Sequence, residues 1–175
     1  LLSPIVKCSL VDELSVSEVK YDGASGQIGR IFVIRLRTGV DMIEGLEKAL
    51  DDYGVKNAAV LLIIGSLRRA HFMYVVDRPD LKLKAGYSEP ITIEHPVELL
   101  GARGVSCISE GKRVSHIHGS ICDQDGKIYG GHFIKGGNPA LYTLEIVVAE
   151  LSGIEMSYEY DEEIDFVALL PRTSS

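Results

Sequence analysis

Three of the five histidines fall inside one short stretch, His116-Ile117-His118 and then Gly130-Gly131-His132, with the acidic turn sequence Asp123-Gln124-Asp125-Gly126 between them. Arg113 to Cys122 and Lys127 to Ile134 read as the two strands of one hairpin. This segment constrains the fold more than any other, because a one-residue slip in a strand moves every side chain to the opposite face. His116 and His118 share a face, about 6.6 Å apart. A three-residue loop, Gln124-Asp125-Gly126, puts glycine where such loops favour a left-handed residue and sets His118 opposite His132. Cross-strand partners stand about 5 Å apart, so all three rings then converge. A two-residue Asp125-Gly126 turn sends His132 to the wrong face. A four-residue loop does the same unless Gly130-Gly131 absorbs a bulge. The turn residues by themselves leave these options open.

Three converging imidazoles are the ligand set of a zinc-type site that keeps one coordination position free. Cys122 shares their parity, but it lies about 13 Å along the strand from His118, too far for the same ion. Gly119, Gly130 and Gly131 flank the histidines, and glycine inside a strand marks close backbone approach or a bulge. His71 and His95 have no such companions and read as structural or exposed. The bland alternative for all three hairpin histidines is a set of separately hydrogen-bonded surface groups.

The remaining chain reads mainly as strand. Ile28 to Arg37 alternates, with Phe32, Ile34 and Leu36 facing one way and Ile31, Val33 and the Arg35 stem the other. One helix is expected after it. Asp41 serves as N-cap with Glu44 as reciprocal partner, and Met42, Ile43, Leu46, Ala49, Leu50 and Tyr53 form one stripe that Gly54 closes. Ala58 to Ile64 is a continuous apolar run, as in a strand buried on both faces and broken by Gly65-Ser66. Further strands are expected over His71 to Val76, Ile91 to Leu100 with a kink at Pro96, Ala102 to Ser109, Glu155 to Tyr160 and Ile164 to Leu170. Leu141 to Leu151 fits a strand or a helix. Residues 1–27 are irregular, 28–170 form one domain, and 171–175 are a tail.

A chain of 175 residues, 46% hydrophobic and 25% charged, can bury one substantial core. It has no apolar run near the roughly 20 residues of a membrane span, and Leu1-Leu2 is interrupted too soon for a signal-peptide core. A net charge of −7 disfavours a sequence-independent grip on DNA. Cys8, Cys107 and Cys122 form no disulfide framework and suit a reducing cytoplasm.

The stretch Ser115-His116-Ile117-His118-Gly119, Asp123-Gln124-Asp125-Gly126 and Gly130-Gly131-His132-Phe133 resembles the PPC (plant and prokaryote conserved) domain, whose signature is a His-x-His, an acidic glycine turn and a Gly-Gly-His. Arg35 to Asp41, Gly65-Ser66-Leu67, Glu98-Leu99-Leu100, Thr143 to Val147 and Tyr158 to Glu163 match other parts of that family in order. The resemblance covers about residues 28 to 170. It implies an α+β fold: a single domain with a mainly antiparallel sheet flanked by helices, assembled as a homotrimer. It also implies zinc or another divalent metal held by His116, His118 and His132. In land plants the domain follows an AT-hook, whose Arg-Gly-Arg-Pro core does not occur in these residues.

Three functions follow as expectations. The first is a trimeric metal-binding module with a regulatory or ligand-sensing role. The second is a small zinc-dependent enzyme using metal-activated water, with Glu98, Glu145 or Asp123 as base. The third, least supported, is a DNA-binding protein. Arg68, Arg69 and Arg103 are candidates to hold a small anionic ligand at the metal.

Overall fold

A computed structural model of the chain describes residues 20–174; the expectations for Leu1-Leu2, for Cys8 and for most of the irregular N-terminal segment lie outside them. The alternating segment becomes β1 (Gln27–Arg37), and its parity decides the core: Ile34 and Leu36 are buried while Ile31 and Val33 face out. Twelve strands and one helix follow in the order α1 (Met42–Asp52), β2 (Ala58–Leu67), β3 (Ala70–Met73), β4 (Val75–Asp77), β5 (Ala85–Tyr87), β6 (Ile91–Ile93), β7 (Val97–Ser109), β8 (Lys112–Cys122), β9 (Ile128–Phe133), β10 (Ala140–Ser152), β11 (Ile154–Asp161) and β12 (Phe166–Thr173), counting β1 as the first. Eight strands form one antiparallel sheet in the order β1-β10-β2-β7-β8-β9-β3-β6. Two small hairpins, β4–β5 and β11–β12, stand outside it.

The helix forms where it is expected. Asp41 caps it, one carboxylate oxygen accepting the backbone N–H groups of Ile43 and Glu44 at 3.0 and 3.1 Å. Gly54 closes it at φ +67°. Its stripe of Met42, Ile43, Leu46 and Leu50 is buried against the inner face of the sheet, where Ile63, Ile117, Ile121, Phe133 and Leu144 meet it. Each side chain buried this fully contributes about 1.5–3 kcal/mol. Tyr53 departs from the stripe: it is half exposed and stacks on Phe32 with ring centroids 4.7 Å apart.

A second polar device ties the helix start to the sheet. The other Asp41 oxygen accepts the Asn138 backbone N–H at 2.7 Å. Asn138, fully buried, accepts the His71 N–H at 2.8 Å and donates its amide to the carbonyls of Ile134 and His71. Buried polar groups are tolerated when they are paired in this way.

Several expectations are corrected. The resemblance implied flanking helices, but the described residues contain one, α1; Leu141 to Leu151, which fitted either a strand or a helix, folds as the interior strand β10. β2 is not buried on both faces: Val60 and Ile63 are inside while Leu61, Leu62 and Ile64 are exposed. Gly65 does not end β2. It adopts φ +135° at a register irregularity, and the strand continues to Leu67. His71 to Val76 splits between β3 and β4, and β7 runs unbroken through Gly101 with a bulge between Leu99 and Gly101.

Candidate metal centre

The hairpin β8–β9 adopts the three-residue loop. Asp123 N–H donates to Lys127 O at 2.9 Å and Gly126 N–H donates to Asp123 O at 3.0 Å. Gly126 takes φ +77°, the left-handed position that a side chain would strain. The Asp123 carboxylate holds the turn from within, accepting the N–H groups of Asp125 and Lys127 at 2.9 Å each. Counting outward from this turn, Ile121 pairs with Tyr129 and His118 lies opposite His132.

Parity then separates the two faces. Ile117, Ile121 and Phe133 are buried in the core, while His116, His118 and His132 occupy the outer face. One nitrogen from each of the three rings lies within 4.8 Å of the other two, and the group consists of these histidines alone. The Nε2 atoms of His116 and His118 stand 2.9 Å apart, and the ring centroids are separated by 4.7, 4.9 and 5.3 Å. Gly131 is required beside them, since a Cβ there would sit 2.3 Å from the Met73 carbonyl oxygen of the adjoining strand.

The electrostatics favour neutral imidazole. Burial, with His116 and His118 close by, pushes His132 down to about 4. Burial and the neighbouring His118 also lower His116. Neutral rings are the form that binds a metal. His132 Nδ1 is buried without a hydrogen-bond partner, although such an atom normally finds one. A buried unpartnered ring nitrogen and three converging imidazoles fit a divalent cation.

The other sequence candidates are dispersed. Asp123 is engaged in the turn, and Glu98 lies opposite Cys122 at the far end of the β7–β8 pairing. Glu145 is on β10, three strands from β8, and accepts a hydrogen bond from Thr143. Arg68 lies in the β2–β3 connection and Arg69 reaches Glu94 at 3.9 Å. Arg103 is the exception, placed directly beside His118 by the β7–β8 register. His71 pairs with Thr92 at 2.8 Å and His95 with the Pro96 carbonyl at 3.3 Å, both away from the trio. Cys122 stays outside the group, and it and Cys107 are free thiols.

Sequence reasoning missed the walls of the site. Tyr87, on the β4–β5 hairpin, places its ring 5.5 Å from His132 and 6.1 Å from Phe166 of the β11–β12 hairpin. A cavity of about 500 Å³ opens beyond Tyr87, lined by Val75, Leu81, Leu83 and Phe166 among others. β11 is fastened over β7 by the Tyr158 N–H, which donates to Ser109 Oγ at 2.9 Å. The only signal of these contacts in the sequence is a scatter of aromatic residues, which specifies no partner.

Comparison with known proteins places the fold and the family. A metal-containing protein from Archaeoglobus fulgidus superposes with a TM-score of 0.73 at 25% identity, covering 86% of this chain and 99% of that one. A plant- and prokaryote-conserved protein from Pyrococcus horikoshii gives 0.67 at 19% identity, covering 82% and 94%. A hypothetical protein from Salmonella enterica gives 0.71 at 20%, covering 87% and 99%. The bifunctional protein GlmU of a Synechococcus species is 27% identical over 140 residues; the chain, matched over 80% of itself, spans only 20% of that relative. No helix of the described residues is long and apolar enough to cross a membrane. The family model for the Plants and Prokaryotes Conserved (PCC) domain matches residues 23–152, signature histidines included, and the chain belongs to that family.

Proposed function

We propose that the chain is a metal-binding module with a regulatory or ligand-sensing role, in which His116, His118 and His132 hold one divalent ion, zinc in our reading. The carrying observation is the convergence of three imidazoles, one of which has a buried, unpartnered nitrogen. The relative from Archaeoglobus fulgidus is itself metal-containing, which supports the reading. A zinc ion so held keeps a coordination position at which it polarises a ligand oxygen. We favour a module over an enzyme because Glu98, Glu145 and Asp123 stand apart from the trio, where a general base would need hydrogen-bond reach.

The reading includes a homotrimer in a reducing cytoplasm. Val33, Val147 and Leu62 align across β1, β10 and β2 on the outer face, with Ile31 and Ile64 beside them. Val33 is 78% and Ile31 61% exposed, so this apolar row gains most by being covered by another copy. DNA is not part of the proposal, given the net charge of −7.

Metal analysis of the purified protein beside its His118→Ala variant tests the site. About one zinc per chain, lost in the variant, is expected; unchanged zinc content overturns the proposal. Light scattering tests the assembly: three copies are expected for the wild type, and a monomeric wild type refutes the trimer.

A further inference from the structure

The register lays out the neighbourhood of the trio in rows. Arg103, His118 and His132 stand side by side on β7, β8 and β9, and the next row on the same face towards the turn is Gly101, Ser120 and Gly130. Among the described residues Arg103 makes no ion pair and no side-chain hydrogen bond. Arg30, Arg78, Arg113 and Arg172 are each held by a carboxylate. The Ser120 hydroxyl likewise has no hydrogen-bond partner among the described residues. A Cβ on Gly101 would meet nothing within 4 Å, so the surface between Arg103 and Ser120 is open.

This arrangement joins a free guanidinium, a free hydroxyl and three converging imidazoles, with no carboxylate among the converging groups. On a protein of net charge −7, Arg103 supplies a positive charge beside the trio that no carboxylate pairs among the described residues. Neighbouring strands are about 4.8 Å apart, so the long Arg103 side chain spans the gap to an anion seated above His118. A guanidinium presents a planar fork of donors that matches two oxygens of a carboxylate or phosphate.

We propose that Arg103 and Ser120, together with the metal on the trio, form a three-point receptor for the oxyanion group of a small molecule. The inference rests on the metal-binding reading and adds the ligand class and the residues that recognise it. One oxygen of the anion would lie at the metal and the Arg103 guanidinium donates to a second. Ser120 donates to a third oxygen, which phosphate has and carboxylate lacks. The two anions are thereby distinguished by the serine.

The test uses the whole chain loaded with cobalt in place of zinc, whose visible absorption reports what the metal binds. Inorganic phosphate and acetate are titrated separately into wild type, Arg103→Gln, Arg103→Lys and Ser120→Ala. Arg103→Gln weakens the response to each anion that binds by about tenfold or more, with cobalt stoichiometry and the anion-free spectrum unchanged. Arg103→Lys recovers part of the affinity, and Ser120→Ala weakens phosphate alone. Failure to load cobalt overturns the metal reading and this inference with it. Loading without a response to either anion, or an Arg103→Gln titration equal to wild type, overturns this inference alone.

Discussion

Two polar clusters in this molecule differ in one respect. Around Asn138, each buried polar group has a partner: Asp41 caps the helix and accepts the Asn138 N–H, and the Asn138 amide joins His71 and Ile134. Around His132 the account does not close, because Nδ1 is buried with nothing to accept or donate. The first cluster holds elements together, and its interactions are complete in the chain itself. The second leaves one buried nitrogen unpaired by the chain itself. A buried polar atom left without a partner costs about 1–3 kcal/mol, a cost that a bound ion would offset on the metal-binding reading.

If that contrast is right, the largest loss comes from the closed cluster. Asn138→Ala removes hydrogen bonds on both sides of a fully buried side chain and leaves buried carbonyls unpaired, so urea unfolding should show roughly 3 kcal/mol of lost stability. A loss below about 1 kcal/mol would erase the distinction.

Gly126→Ala comes next. Its Cβ meets no atom within 4 Å, but the residue is held at φ +77°, so the cost is backbone strain of about 1–2 kcal/mol. Because this turn sets the register of His118 and His132, zinc affinity should fall as well, although no ligand has been touched. Stability lost with zinc affinity intact would show that the turn does not control the site.

His132→Phe should act in the opposite direction. Removing the unpartnered nitrogen is expected to stabilise the metal-free protein by about 1 kcal/mol while abolishing zinc binding, as seen in paired thermal melts and metal analysis. Destabilisation of the metal-free form would place His132 in the structural class with Asn138.

The smallest effect concerns acid. The folded His132 stays neutral down to about 4, whereas an unfolded histidine takes its proton near 6.5. The unfolded chain therefore binds more protons between those values, and metal-free stability falls as pH is lowered through that window. Solvent near the half-buried ring limits the change to on the order of 1 kcal/mol. Unfolding midpoints from pH 7 to 4 should show this slope in wild type and a flatter one in His132→Phe; equal slopes would contradict the assignment.

Much of this was legible before any tertiary contact was known. The helix was readable because Asp41, the stripe from Met42 to Leu50 and Gly54 agree at three separate levels. The hairpin register was readable as a short list of turn types, each with one consequence for His132. Four features were harder to read. The exposed face of β2 was hidden because a continuous apolar run has no period to reveal which side meets water. The pairing of Lys135 with buried Glu47 and the packing of Tyr87 on His132 depend on segments far apart in sequence. Arg103 stood level with Arg68 and Arg69 until the β7–β8 register put it beside His118.

The sequence by itself determined the parity of the histidines, because alternation along a strand is a local property of the backbone. It also determined the left-handed loop glycine and the family signature. Only the tertiary structure decided that the three-residue loop is the one used, that three rings meet within 4.8 Å, and that Arg103 and Ser120 border them. Local pattern assigns a residue to a face. Which residues share that face across strands depends on register, and register is settled when every strand buries its apolar side in the same core.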